Sequence, residues 1–393
     1  MEDLIPREKG TVYILGAGAS YGTSLKEKPP TIKNFFKETN LKKLKYDYSP
    51  LWKLLNSLGI NIVELQKGVP DIEEIYSKFD IISSGLWYLN ENEYRKDVGN
   101  DFWKVTPVDL LKSFIVEIIN PVCIYAKKNN CKYHNKIVES LVKGDTIISF
   151  NYDLIIDISL SKIKRWSEFN GYGFFDWEVP EEINKDIDEI ESDILLLKPH
   201  GSINWDKKYT FNYSKENSLN LKTFRENILG KTEETRYKIK VNLISRIKEK
   251  AYSPYLASDK MEFYNHLASN TKRGEAWKIA GIERNHEDIF IIPPTLFKFG
   301  NEVFPEQIYD IWAKMRLALM KANEIILIGY SFSNTDIQFS TLFKMAILNN
   351  KNNLKIKIVN PDNEVEIKLK NMFPSLKVNK VADTLEKYCK EMN

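Results

Sequence analysis

The chain has 393 residues, 43% of them hydrophobic and 28% charged, with a formal net charge of +3. That length suits one large domain with insertions, or two to three domains, and so mild a positive balance makes no electrostatic case for nucleic acid by itself. The three cysteines, Cys123, Cys131 and Cys389, form no C-x-x-C pair, which argues against a zinc ribbon or a disulfide framework and fits a reducing compartment.

The first ten residues carry charge but no apolar signal-peptide core, and no apolar run approaches the roughly 18 to 20 residues of a membrane span. The expectation is a soluble, intracellular protein with no direct membrane contact. Thr11–Leu15 is a β-branched, apolar run and predicts the first strand. It feeds the loop Gly16-Ala17-Gly18-Ala19-Ser20, which suits a phosphate: glycines let the backbone approach and the next helix's first amides face an anion. The dinucleotide fingerprint G-x-G-x-x-G is not met, because Tyr21 stands where the third glycine belongs, and a tight turn without a ligand is the structural alternative.

Residues 31–144 turn helical. Thr31–Lys37, Pro70–Phe79 and Val108–Ile119 space apolar residues at three and four. Asp71 or Ser49 is expected to cap a helix and Pro121 to stop or kink one. Asp145–Phe150 predicts the next strand, which exits into Asn151-Tyr152-Asp153. An amide and a carboxylate at a strand's carboxyl end offer donors and acceptors to sugar hydroxyls, whereas capping of a helix over Leu154–Leu160 is the bland alternative. Glu181–Asp193 is acidic and reads as helix or loop.

Ile194–Lys198 predicts a strand that delivers His200, one of four histidines, followed at once by Gly201. A lone histidine is more often structural than functional, but this one stands at a strand end, where open α/β sheets bind ligands. Residues 206–285 lose the strand–helix rhythm and read as a second, polar insertion, a lid or an oligomer contact. The basic run Lys238–Lys250 reads as a solvated helix face. Asp288–Pro294 is expected to restart the sheet. A helix over Gln307–Ala322, a strand over Glu324–Gly329 and a strand over Leu354–Val359 follow. The second of these exits through Gly329–Asp336, with Asn334 or Thr335 as a cap, and the third through Asn360-Pro361-Asp362. Helices over Glu364–Met372 and Asp383–Met392 close the chain. The alternation argues for a mostly parallel sheet covered on both faces.

Six motifs in order carry a resemblance: Gly16–Ser20, Asn151-Tyr-Asp153, Pro199-His-Gly201, Pro294-Thr-Leu-Phe-Lys-Phe-Gly-Asn-Glu302, Gly329-Tyr-Ser331 and Val359-Asn360. The series resembles sirtuins, and implies a doubly wound, Rossmann-like α/β core made of residues 1–30, 145–205 and 286–393, with inserts at 31–144 and 206–285. Zinc-binding sirtuins carry two cysteine pairs after the His-Gly, whereas Ser202–Ile282 holds no cysteine. With the large helical insert, this looks like the sirtuin-like NADases of bacterial antiphage defence.

The resemblance implies cleavage of the nicotinamide–ribose bond of NAD+, which serves as substrate, with no zinc. In that scheme Gly16, Ala17, Gly18, Ala19 and Ser20 cradle the pyrophosphate. Asn151 holds the nicotinamide ribose and positions water. Asp153 binds near the nicotinamide or fixes the Asn151 loop. His200 is the general base. Gly329, Ser331, Asp336, Asn360 and Asp362 line the adenosine end. An NAD-dependent protein deacylase and a non-enzymatic subunit that senses NAD or ADP-ribose are the alternatives. The family also implies a bacterial cytoplasmic setting and control by a homo-oligomer or by a partner, a HerA-type ATPase before an Argonaute-type protein.

Overall fold

The computed structural model describes residues 10–83, 107–174, 192–209, 237–241, 244, 289–292, 305–333 and 336–392. In chain order its strands are β1 (Thr11–Leu15), β2 (Thr146–Ser149), β3 (Leu195–Leu197), β4 (Gly201–Tyr209), β5 (Tyr237–Val241), β6 (Ile289–Ile291), β7 (Glu324–Ile328), β8 (Lys355–Val359) and β9 (Lys377–Ala382). Six of them form one sheet in the order β3-β2-β1-β7-β8-β9, and every pairing in it is parallel. β1, β2 and β7 are buried on both faces, which is why they read as continuous apolar runs. Each fully buried Ile or Leu here, such as Ile14 or Leu327, stabilises the fold by about 1.5–3 kcal/mol.

Helices flank this sheet or build the insert: α1 (Ala17–Tyr21), α2 (Glu38–Tyr46), α3 (Ser49–Ser57), α4 (Ile62–Lys67), α5 (Ile72–Ser83), α6 (Pro107–Lys128), α7 (Lys132–Ser140), α8 (Ile155–Leu160), α9 (Glu306–Lys321), α10 (Ile337–Leu348), α11 (Glu364–Met372) and α12 (Leu385–Glu391). The doubly wound α/β expectation holds. One core, with Ile14, Ile148, Leu196, Ile326 and Ile358, fills the sheet's faces. A second core fills the helical insert, where Leu54, Ile75, Phe79 and Phe114 meet. It also takes in Ile155 and Ile158 of α8, Ile203 of β4 and Ile289 and Ile291 of β6. The insert therefore shares its core with the segments that follow β2 and β3.

Several local expectations are corrected. β6, expected to restart the main sheet, pairs antiparallel with β4 in a small sheet ordered β5-β4-β6. Its Ile289 and Ile291 side chains join the second core, while Phe290 between them joins the first. Residues 238–241 of the basic run lie in strand β5 rather than a helix, and β4 crosses the expected boundary at residue 206. β9 was not expected at all: as an edge strand it alternates burial, and its lysines hide the pattern. Thr31–Lys37 makes turns, because the Asn34 side chain accepts the Thr31 amide at 2.6 Å and competes with helix. Ser49 lies inside α3, whose N-cap is Tyr48. Pro121 does not stop its helix; α6 runs through it to Lys128. Asp71 does cap α5, accepting the Glu73 and Glu74 amides at 2.9 Å each. Most of Glu181–Asp193 lies outside the described residues, as do most of 206–285, the Pro294–Glu302 motif, Asn334 and Thr335.

Candidate functional site

Parallel register brings the strand exits to one rim. Leu15 pairs with Ser149 and Ile328, Ile148 with Leu197, and Ile328 with Val359. Gly16, Asn151, His200, Gly329 and Asn360 all follow these strand ends. The chain steps from β1 outward to β2 and β3, then returns to β7 on β1's other side. Between β1 and β7 the strand order therefore reverses, and ligands of open α/β sheets bind outside the carboxyl ends at such a point.

The glycines there are explained first by backbone contact. The Gly16 amide donates to Ile328 O and the Gly18 amide to Gly329 O, both at 3.0 Å. A Cβ on Gly16 would stand 2.5 Å from Gly329 O, and one on Gly18 would stand 2.7 Å from Gly329 Cα. Gly329 itself has φ +59°, and a Cβ on it would meet Ala19 N at 2.3 Å. The Ala19 amide donates to Gly16 O at 2.9 Å. Three of the amides expected to face a pyrophosphate thus already have carbonyl partners. A phosphate at this loop would be met by what remains of the first turn of α1.

Asn151 is tied to the same loop. Its side-chain amide donates to Gly16 O and to Ser20 Oγ, each at 2.9 Å. Both of its donors are spent, so its carbonyl oxygen is what it can offer a ligand. It does not cap α8. Asp153 accepts the Ile155 amide at 3.0 Å, which supports the turn into that helix. Burial holds the Asp153 carboxyl above the usual range, a push that Lys198, the Ile155 amide and the Ser20 hydroxyl partly offset. The two residues together clasp Ser20, which is 4% exposed.

His200, 6% exposed, stands beside Asp336, with Nε2 to Oδ1 at 3.6 Å. The other Asp336 oxygen accepts the Tyr330 hydroxyl at 2.7 Å. The imidazole packs edge-on against Phe150, centroids 4.9 Å apart, with the Tyr152 ring at 6.5 Å. Its backbone is held as well: the Ile292 amide donates to His200 O at 2.7 Å, and Gly201 turns the chain at φ +78°. Asp336, which the resemblance places at the adenosine end, is thus the imidazole's neighbour.

The remaining expected residues are spread along the rim. Ser331 is exposed. Asn360 donates to Tyr330 O at 3.3 Å and accepts the Asp362 amide at 3.0 Å, so it braces the loop after β7. Asp362 is exposed and accepts the Glu364 amide at 2.9 Å, at the start of α11. Phe332 is buried with φ 52°, a left-handed conformation costly for a bulky residue and typical of strained functional loops.

Glu73 was missed. It comes from α5 of the insert, is 6% exposed, and accepts the Ser333 hydroxyl. Burial holds the Tyr152 phenol well above its usual range, and the charges of Glu73 and Asp336 add to that. The same holds for Tyr330, after burial through Asp336 and then Glu73. Asp336 thus stands against His200 and Tyr330, and Glu73 holds the loop after β7 at Ser333. The available signal was a glutamate in step with Tyr76 on the packed side of an amphipathic helix. Among the described residues no group of three or more His, Cys, Asp or Glu side chains is arranged to hold a metal ion, and no helix is long and apolar enough to cross a membrane.

Fold and site together define an open parallel α/β protein whose switch point carries a glycine-packed, polar site with a histidine–aspartate pair. No protein-family model matches the chain, and a search of the curated proteins gives no match.

Proposed function

We propose that this chain is an NAD+ hydrolase of the sirtuin-like type, which cleaves the nicotinamide–ribose bond to give nicotinamide and ADP-ribose. The observation that carries the reading is the shared rim: the Asn151 amide fastened to the glycine loop, and the His200–Asp336 pair at a neighbouring strand exit. Cleavage passes through an oxocarbenium-like transition state, so the ribose must be held while water attacks C1′ and the C1′–nitrogen bond breaks. The Asn151 carbonyl oxygen accepts a hydrogen bond from a ribose hydroxyl or from that water. His200 takes the proton the water loses, directly or through a ribose hydroxyl, and Asp336 stabilises the imidazolium that forms. The Glu73 and Asp336 carboxylates suit the cationic nicotinamide ring of the ground state.

By the resemblance, this activity depletes NAD+ in abortive antiphage defence in a bacterial cytoplasm. Unrestrained loss of NAD+ would kill the host, so a homo-oligomer or a partner, a HerA-type ATPase first and an Argonaute-type protein next, holds the activity until infection. The test is nicotinamide release from NAD+ by the pure protein, alone and with candidate partners. The expected result is turnover that His200→Ala lowers by roughly 10²-fold or more. The reading fails if no condition gives turnover that this substitution removes.

A further inference from the structure

We propose that Lys198 is the positioning residue that sets the separation of Asn151 and His200. Its kinetic consequence rests on the hydrolase reading above. Lys198 is fully buried, as is the Asp157 side chain beside it. Its ammonium donates to Asp153 O at 2.7 Å and to the two Asp157 oxygens at 3.2 and 3.1 Å. Three protons meet three acceptors, so the group is saturated. Lys198 lies two residues before His200, and Asp153 lies two residues after Asn151. One buried ammonium thereby ties the exit of β3 to the exit of β2.

The rest of the network fixes the ammonium in turn. Asp157 Oδ1 accepts the Tyr172 hydroxyl at 2.7 Å, and that hydroxyl accepts the Asn204 amide at 3.2 Å. The Gly201 amide donates to Lys198 O at 3.0 Å, which closes the turn that carries His200. The Ile203 amide donates to Tyr152 O at 3.1 Å, a second strap between the same two loops.

A buried ion pair is a poor device for stability alone, because an apolar pair of similar volume does as well or better. An apolar pair cannot grip a backbone carbonyl, and Asp153 O is the acceptor at the shortest of the three distances. The pair is therefore explained by placement of the loops. Loss of the grip moves one loop relative to the other, and a shift of about 1 Å in such a site costs roughly 10²-fold in rate.

Two variants separate placement from stability. Lys198→Met leaves the Asp157 charge buried without its counter-ion. Lys198→Met with Asp157→Asn removes that charge and keeps an oxygen for Tyr172, so its melting temperature recovers toward wild type. Both are studied by amide hydrogen exchange and by nicotinamide release. The expected result is faster exchange in residues 150–155 and 198–203 together, in both variants. It goes with a fall in kcat of roughly 10²-fold and little change in KM, in both variants. Recovery of wild-type kcat in the double variant, or unchanged exchange in either stretch, overturns the proposal. If the wild-type protein releases no nicotinamide while both stretches respond as stated, the clamp stands and the hydrolase reading falls.

Discussion

A carboxylate 3.6 Å from an imidazole nitrogen does two things for a general base. It fixes the ring's orientation and it stabilises the charge gained with the proton. Asp336 is itself fixed by the Tyr330 hydroxyl at 2.7 Å. Asp336→Asn keeps the shape and removes the charge. It is expected to lower kcat for nicotinamide release by roughly 10²-fold with a small change in KM, read from steady-state kinetics. An equal loss in the two parameters' ratio through KM alone would assign Asp336 to binding. At this scale the sequence was legible where a strand end announced a residue: Asn151 and His200 both stand where expected, on the rim. Glu73 and Lys198 were not legible. One is a glutamate on an ordinary amphipathic helix, the other a lysine inside a strand exit. Only tertiary packing makes either of them buried and partnered.

At the scale of elements, α6 shows how packing overrides a local rule. Pro121 lacks the amide that a helix interior needs, and its ring crowds the preceding turn. The helix continues because its buried side, with Leu111, Phe114, Ile115 and Val122, sits in the second core. Pro121 is itself exposed, so nothing in the core needs it. Pro121→Ala is therefore expected to raise stability by about 1–3 kcal/mol in chemical denaturation, through the restored hydrogen bond. Lower stability would mean that the proline is required where it stands. β1, β2, β7 and β8 were legible as apolar runs feeding polar loops. β6 reads the same way as a string, and no local feature says that it pairs with β4 instead of the main sheet. It stands between the two cores, with Phe290 in the first and Ile289 and Ile291 in the second, a division the string does not display. β9 failed for the opposite reason: edge strands carry charge and half of their residues face solvent.

For the whole molecule, one buried ring makes stability depend on pH. His134 on α7 is 1% exposed, and burial alone lowers its pKa to about 4. The ordinary value is 6.5, so the folded state favours the neutral ring. Its contribution is complete above about pH 6.5 and is lost progressively as the pH falls toward 4, a change of about 3 kcal/mol. Glu168 works the other way. Burial raises its pKa to about 7, so its contribution is present at low pH and fades as the pH rises through that value. The wild-type pH profile is therefore muted. His134→Leu isolates the histidine: unfolding free energies at pH 4.5 and 7 should differ less in the variant than in the parent, by about 2–3 kcal/mol. Equal differences in the two proteins would place His134 in a less buried setting.

The proposed hydrolase gathers distant loops around a single dinucleotide at the sheet's switch point. The most direct measurement is a crystal structure of the protein with ADP-ribose, the product of the proposed reaction. The ribose that carried nicotinamide is expected within about 3.2 Å of both the Asn151 carbonyl oxygen and a His200 ring nitrogen, with the pyrophosphate over the first turn of α1. ADP-ribose bound away from the rim between β1 and β7, or with its ribose out of reach of His200, would contradict it.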